Sequence, residues 1–248
     1  RSLAELVDAL PLHGLAVLGL ADMQVGTTLP AMLFDRCTEA KYVALFNMGL
    51  TGSIPESIGK CTQASTINLH DNKLEGQIPE AIGQCITLQT LGLSENQLSG
   101  AIPEAIGKCV ALQYLYLYQN QLSGAIPEAI GKCVALQILY LYQNQLSGTI
   151  PEAIGQCVAL QHLGLHENQL SGAIPEAIGK CVALQDLIMA QNQLSGAVPH
   201  TALAKLTKVT QLAIDDNEHL TITAEGKKLI EEAVENKEAE LFWPTVVG

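Results

Sequence analysis

The sequence predicts an α/β solenoid, a stack of short turns with a parallel sheet on one side and helical segments on the other. Three observations carry that expectation. All seven cysteines, Cys37, Cys61, Cys85, Cys109, Cys133, Cys157 and Cys181, stand 24 residues apart. Pro55, Pro79, Pro103, Pro127, Pro151, Pro175 and Pro199 keep the same step, as do the glycines from Gly52 to Gly196. Counted from each cysteine, apolar residues recur at +3, +6, +8 and +13, with Asn at +11; the Cys109 unit supplies Leu112, Leu115, Leu117, Leu122 and Asn120. Self-similarity at a period of 20–50 residues is the signature of stacked repeats.

The elements follow in chain order. Leu3, Leu6, Val7 and Leu10 recur at helical spacing, with Ser2 as N-cap and Pro11 as the limit, so residues 1–11 are expected to form an N-terminal helical cap. The solenoid then occupies residues 12–222, in about nine turns opening at Leu12, at each cysteine and at Leu206. Strands about 4.8 Å apart make its sheet roughly 40 Å across. Within each turn, positions +5 to +9 are expected to form a strand, with +6 and +8 pointing inward and +5, +7 and +9 outward. The segment P-E-A-I-G-K is expected to make a helical turn on the opposite side, with proline tolerated at its first position. Glu104/Lys108 and Glu128/Lys132 stand at i, i+4, a spacing compatible with weak surface pairing. After Thr223, the residues Leu229, Ile230, Ala233 and Val234 mark residues 223–248 as a C-terminal helical cap. A solenoid needs such atypical ends because its last apolar layer would otherwise face water.

The pattern L-x-x-L-x-L-x-x-N-x-L resembles the leucine-rich repeat family. The tail L-S-G-A-I-P-E-A-I-G is similar to its plant-type 24-residue subclass, familiar from receptor-kinase ectodomains and polygalacturonase inhibitors. The resemblance implies a right-handed solenoid with its parallel sheet on the concave face and short helical turns on the convex face. It further implies a second short strand at L-x-G-x-I-P and a role in recognition.

Two repeated polar positions read as framework. The cysteines share their position with Leu12 and Leu206 in the end units, which points to thiols packed as small hydrophobes. Their spacing does not exclude disulfides, but an odd number cannot pair fully, and C-x-x-C metal spacing is absent. Asn72, Asn96, Asn120, Asn144, Asn168 and Asn192 are expected to form a ladder that bonds the backbone where each strand turns. Met23 and Met48 replace it in the first two units.

Information specific to this chain is expected where the repeats differ, at the outward strand positions. All six tyrosines fall there: Tyr42, Tyr114, Tyr116, Tyr118, Tyr140 and Tyr142. Phe46, His70, His162 and His166 share the face, with Gln119, Gln143, Glu167 and Asp186 as a polar rim. Tyr116 is expected beside Tyr140, and Tyr118 beside Tyr142. Clustered tyrosines are typical of binding surfaces, although duplication of one Tyr-rich strand would also produce them. His162 and His166 lie about 13 Å apart on a strand, too far to share a metal ion, and read as isolated surface histidines.

The function classes narrow accordingly. No phosphate-binding glycine motif or nucleophile motif is present, so no catalysis and no cofactor are expected. A net charge of −12 disfavours nucleic acid and anionic membranes. No apolar run approaches the roughly 18 residues of a membrane span. Seven unpaired thiols and the lack of an N-x-[ST] sequon suit a reducing compartment, giving a cytoplasmic expectation with a secreted or extracellular alternative. A chain beginning at Arg1 leaves a leader or further domains open. The expected function is a non-catalytic module that binds a protein or peptide through the concave sheet face. The alternatives are the recognition domain of a larger receptor kinase or GTPase, and a secreted inhibitor or glycan-binding protein.

Overall fold

A computed structural model of the chain describes Glu5, Gly14 and residues 16–20, 22, 26–30, 32–236 and 238–247. Two parallel sheets run side by side along a stack of turns. Among the described residues the larger has ten three-residue strands, including Tyr42–Ala44, Thr66–Asn68, Thr90–Gly92, Tyr114–Tyr116, Ile138–Tyr140, His162–Gly164 and Asp186–Ile188. Their register sets each residue beside its equivalent one repeat later, as Leu115 beside Leu139. The smaller sheet has nine strands, among them Gln121–Gly124 and Gln145–Thr149, on the L-x-G-x-I-P segment.

The primary strands stop at +7 rather than +9. Backbone pairing continues past that point, from Leu117 N to Tyr140 O at 2.9 Å and from Gln119 N to Tyr142 O at 3.0 Å. The residue at +10 then enters the left-handed region, with Asp71, Glu95, Gln119, Gln143 and Glu167 all at φ 53–55°. That conformation bends each turn toward the smaller sheet.

The side opposite the larger sheet is built of 3-10 helices, such as Glu104–Lys108 and Glu128–Lys132. Proline sits at the N-cap in extended conformation rather than at the first helical position. The expected pairing of Glu104 with Lys108 and of Glu128 with Lys132 does not form. A 3-10 helix has three residues per turn, so residues four apart point about 120° from one another. Close stacking of these helices requires glycine: a Cβ on Gly107 would lie 2.5 Å from the carbonyl oxygen of Ala129.

Between the sheets and the helices runs one continuous apolar core. In the Cys109 turn, Leu112, Leu115, Leu117, Leu122, Ile126 and Ile130 are all buried. Each such burial contributes about 2 kcal/mol, so the turns are held by stacking on one another rather than by local propensity. All seven cysteines are free and buried. From Cys85 onward, each Sγ lies 3.3–3.5 Å from the carbonyl oxygen of the isoleucine 27 residues earlier. Burial is the main force pushing these thiols up, Cys85, Cys133 and Cys181 to about 11 and Cys61, Cys109 and Cys157 to about 12.

The asparagine ladder forms across the array. Asn144 Nδ2 donates to the carbonyls of Leu117, Leu141 and Tyr142 at 3.0, 3.1 and 3.3 Å, and Oδ1 accepts from Leu122 N at 3.0 Å. Asn217 extends the ladder by one turn. Met48 is fully buried, and its backbone N–H donates to Asn72 Oδ1 of the next turn. Met23 lies outside the described residues.

The two ends differ. The expected N-terminal helix lies outside the described residues apart from Glu5, which is helical. At the other end, helix Ala224–Ala233 begins at Thr223, whose hydroxyl accepts from Gly226 N at 3.0 Å. The segment is not helical throughout, however. Strand Glu240–Phe242 joins the larger sheet beside Gln211–Ala213, and Thr245–Val247 joins the smaller sheet. The C-terminal segment thus covers the last apolar layer with a helix and a further strand in each sheet.

Candidate ligand-recognition face

The outward positions of the larger sheet form three rows running across the turns. The parallel register stacks residues of like offset, so each row is read by stepping 24 residues. The +9 row runs Phe46, His70, Ser94, Tyr118, Tyr142, His166. The +7 row contains Asn68, Gly92, Tyr116, Tyr140 and Gly164.

Strand spacing near 4.8 Å is close to the stacking distance of aromatic rings, and the +9 row exploits this. Tyr118 and Tyr142 stack at 4.6 Å between centroids with planes 9° apart, and Tyr142 and His166 at 4.4 Å and 12°. Phe46 and His70 stack at 4.8 Å and 8°. In the +7 row Tyr116 and Tyr140 tilt against each other at 5.9 Å, and Tyr140 meets Tyr142 edge to face at 5.7 Å. Tyr114 stacks on Tyr116 at 6.5 Å.

The ten sequence-selected residues therefore divide. Tyr114, Tyr116, Tyr118, Tyr140, Tyr142 and His166 form one connected ring cluster. Phe46 and His70 form a second pair. Tyr42 is half exposed and has no ring partner among the described residues. The expectation of two isolated histidines does not hold. His162 Nδ1 lies 2.6 Å from Asp186 Oδ2, because register places the +5 residues of adjacent turns together. His166 is packed against Tyr142; burial pulls it below the ordinary imidazole value, and the carboxylate of Glu167 offsets part of that effect.

Burial likewise pushes the Tyr116 and Tyr140 phenols up, and Tyr142 up to about 12, with neighbouring phenols adding to the effect on all three. Tyr118 donates to Glu95 Oε1 and Tyr114 to Gln137 Oε1, both at 3.2 Å. Along the +10 edge, Gln143 Nε2 donates to Glu167 at 3.1 Å. The edge row also contains Asp71 and Glu95, and reading the residues across turns at that fixed offset reveals it in the sequence.

Two concavities bear on binding. One of about 250 Å³ lies on the sheet face, lined by Asn68, His70, Thr90, Gly92, Ser94, Tyr116 and Tyr118. Another of about 590 Å³ follows the proline–glutamate row on the far side. Its walls are repeat framework, such as Pro79/Pro103/Pro127 and Glu80/Glu104/Glu128, copied from turn to turn. It distinguishes no turn from its neighbours. Among the described residues, no group of three His, Cys, Asp or Glu side chains could hold a metal ion, and no helix is long and apolar enough to cross a membrane.

Stacked parallel turns, an asparagine ladder and a patterned outer face define a leucine-rich repeat protein. Family models described as leucine-rich repeat match residues 62–122, 135–157 and 159–181. Over these residues the chain carries the plant-type leucine-rich repeat. No curated protein sequence matches the chain. Among solved structures, it is similar to the Arabidopsis receptor kinase HAESA, in complex with the peptide hormone IDA and the co-receptor SERK1. The identity is 28%, over 94% of this chain and 39% of that one, with a TM-score of 0.82. The plant peptide hormone receptor RGFR1, in complex with RGF2, is 26% identical over 92% of this chain and 47% of its own, with a TM-score of 0.66. A plant ice-binding protein at 21% identity and TM-score 0.72, over 94% of this chain and 74% of its own, shares the fold alone. The chain spans less than half the length of the two receptor chains.

Proposed function

We propose that this chain is a non-catalytic recognition module that binds a peptide across the outer face of its larger sheet. The observation that carries this reading is the ring cluster of Tyr114, Tyr116, Tyr118, Tyr140, Tyr142 and His166, concentrated on three turns of an otherwise copied framework. Tyrosines supply contact area and a hydroxyl at modest entropic cost. The likeness to receptors solved with peptide hormones supports a peptide as the ligand class.

The same likeness favours the recognition domain of a larger receptor over a free-standing binder. It also favours the extracellular alternative over the cytoplasmic expectation. The thiol argument for a reducing compartment loses weight, since all seven thiols are buried and shielded from oxidants. A glycan platform is the weaker alternative. Sugars stack on open ring faces, and here both faces of the central Tyr142 are covered, by Tyr118 and His166.

The test is selection of a displayed random peptide library on the intact chain. Replacing Tyr116, Tyr118, Tyr140 and Tyr142 with Ala should abolish capture of the selected peptides while circular dichroism stays unchanged. Undiminished capture by the folded variant would refute this address.

A further inference from the structure

The +9 row is a column of stacked rings broken at one place. Phe46 and His70 stack on one side, Tyr118, Tyr142 and His166 on the other, and between them stands Ser94. Ser94 is 2% exposed and carries no ring. His70 and Tyr118 are two strand spacings apart, about 9.6 Å. A planar group midway would therefore lie about 4.8 Å from each ring, the interval the rest of the column already keeps. Gly92 adds no side chain to the floor, and the Asn68 carboxamide leans over it, its Oδ1 2.6 Å from where a Cβ would stand. The result is the 250 Å³ slot, with His70 and Tyr118 on opposite walls and the side chains of Asn68 and Thr90 between them.

The charge at the mouth is negative. Glu95 follows Ser94 and reaches the Tyr118 hydroxyl at 3.2 Å, and Asp71 follows His70 at the same edge position, exposed to solvent. The chain as a whole carries −12. A guanidinium is planar, always charged, and stacks on aromatic faces while its edge N–H groups donate to acceptors. A neutral aromatic ring would fill the same space but leave the negative charge at the mouth uncompensated.

We propose that the slot at Gly92 and Ser94 receives an arginine side chain of the peptide ligand, its guanidinium stacked between His70 and Tyr118. This rests on the reading that the sheet face binds a peptide, and the experiment separates the two. Peptides are selected from a random displayed library on the intact wild-type chain and then measured against three variants. Ser94→Tyr places a ring where Tyr118 and Tyr142 already hold theirs one and two turns on, so the fold should tolerate it. Glu95→Gln with Asp71→Asn removes the charge without altering shape. Tyr140→Ala with Tyr142→Ala damages the face away from the slot.

Selected peptides should share an arginine, and its change to lysine should weaken binding by about tenfold or more, since an ammonium cannot stack as a plane. Ser94→Tyr should weaken binding similarly, and the charge variant should weaken it most at low salt. Peptides that need Tyr140 and Tyr142 but carry an aromatic or aliphatic residue instead, or ignore Ser94→Tyr, would overturn the arginine slot and leave the face reading standing. Peptides indifferent to all three folded variants would overturn both.

Discussion

Replacing Asn144 with alanine removes one rung of the ladder, the rung that ties the turns opening at Cys109 and Cys133 together. The carboxamide accepts from Leu122 N at 3.0 Å and shares its two protons among the carbonyls of Leu117, Leu141 and Tyr142 at 3.0–3.3 Å. That is about three effective hydrogen bonds, each worth about 1 kcal/mol net. Asn144 is half-buried, so water recovers part of the loss, and the expected destabilisation is about 2–3 kcal/mol. In a solenoid each turn contacts only its neighbours, so the effect should be local. Native-state hydrogen exchange reads it directly. The Leu122 amide should exchange about 30- to 150-fold faster, while the Leu170 amide, held by Asn192 Oδ1 at 3.0 Å two turns away, should keep its protection. Unchanged exchange at Leu122, or equal acceleration at both amides, would refute the ladder as a set of local clamps.

Three further expectations concern the packed interior. At pH 8 the native chain should leave a thiol reagent almost unreacted, and all seven cysteines should react after denaturation; seven reacting without unfolding contradicts burial. Burial raises the folded thiols from the ordinary 9.0 to about 11–12 at six of the seven positions. The unfolded chain therefore loses these protons first, and their contribution to stability is complete below about pH 9 and declines as the pH climbs toward 11–12, as alkaline melting curves should record. Gly107→Ala forces a Cβ to within 2.5 Å of the Ala129 carbonyl oxygen and 2.7 Å of its Cβ. It should cost about 2–3 kcal/mol by overpacking, and a melting temperature equal to wild type would rule out stacking this close.

Much of this architecture was legible because the period supplies its own ruler. Offsets from Cys109 placed Leu115 and Leu117 inside and Asn120 at the bend, and each lies where the offset puts it. The C-terminal strands Glu240–Phe242 and Thr245–Val247 were hidden, since they fall after the repeat has lapsed and beside a strong helical pattern. The 3-10 form of P-E-A-I-G-K was missed too, because five residues are too few for periodicity to separate it from an α-helical turn. Exposure of the tyrosines followed from strand alternation, but ring pairing did not. Whether Tyr118 stacks on Tyr142 or splays from it depends on rotamers. The His162–Asp186 contact joins residues 24 apart and becomes readable only once the parallel register is accepted. The slot at Ser94 has the same origin, one small residue in a row legible only across turns.

Peptide binding at the tyrosine cluster can be tested ring by ring. Because the chain has six tyrosines, incorporation of 3-fluorotyrosine gives a fluorine resonance for each, assignable by single Tyr→Phe changes. Titration with a library-selected peptide should shift the signals of Tyr114, Tyr116, Tyr118, Tyr140 and Tyr142 and leave Tyr42, which stands apart from the cluster, in place. Saturating binding that moves none of the five, or moves Tyr42 alone, would contradict it.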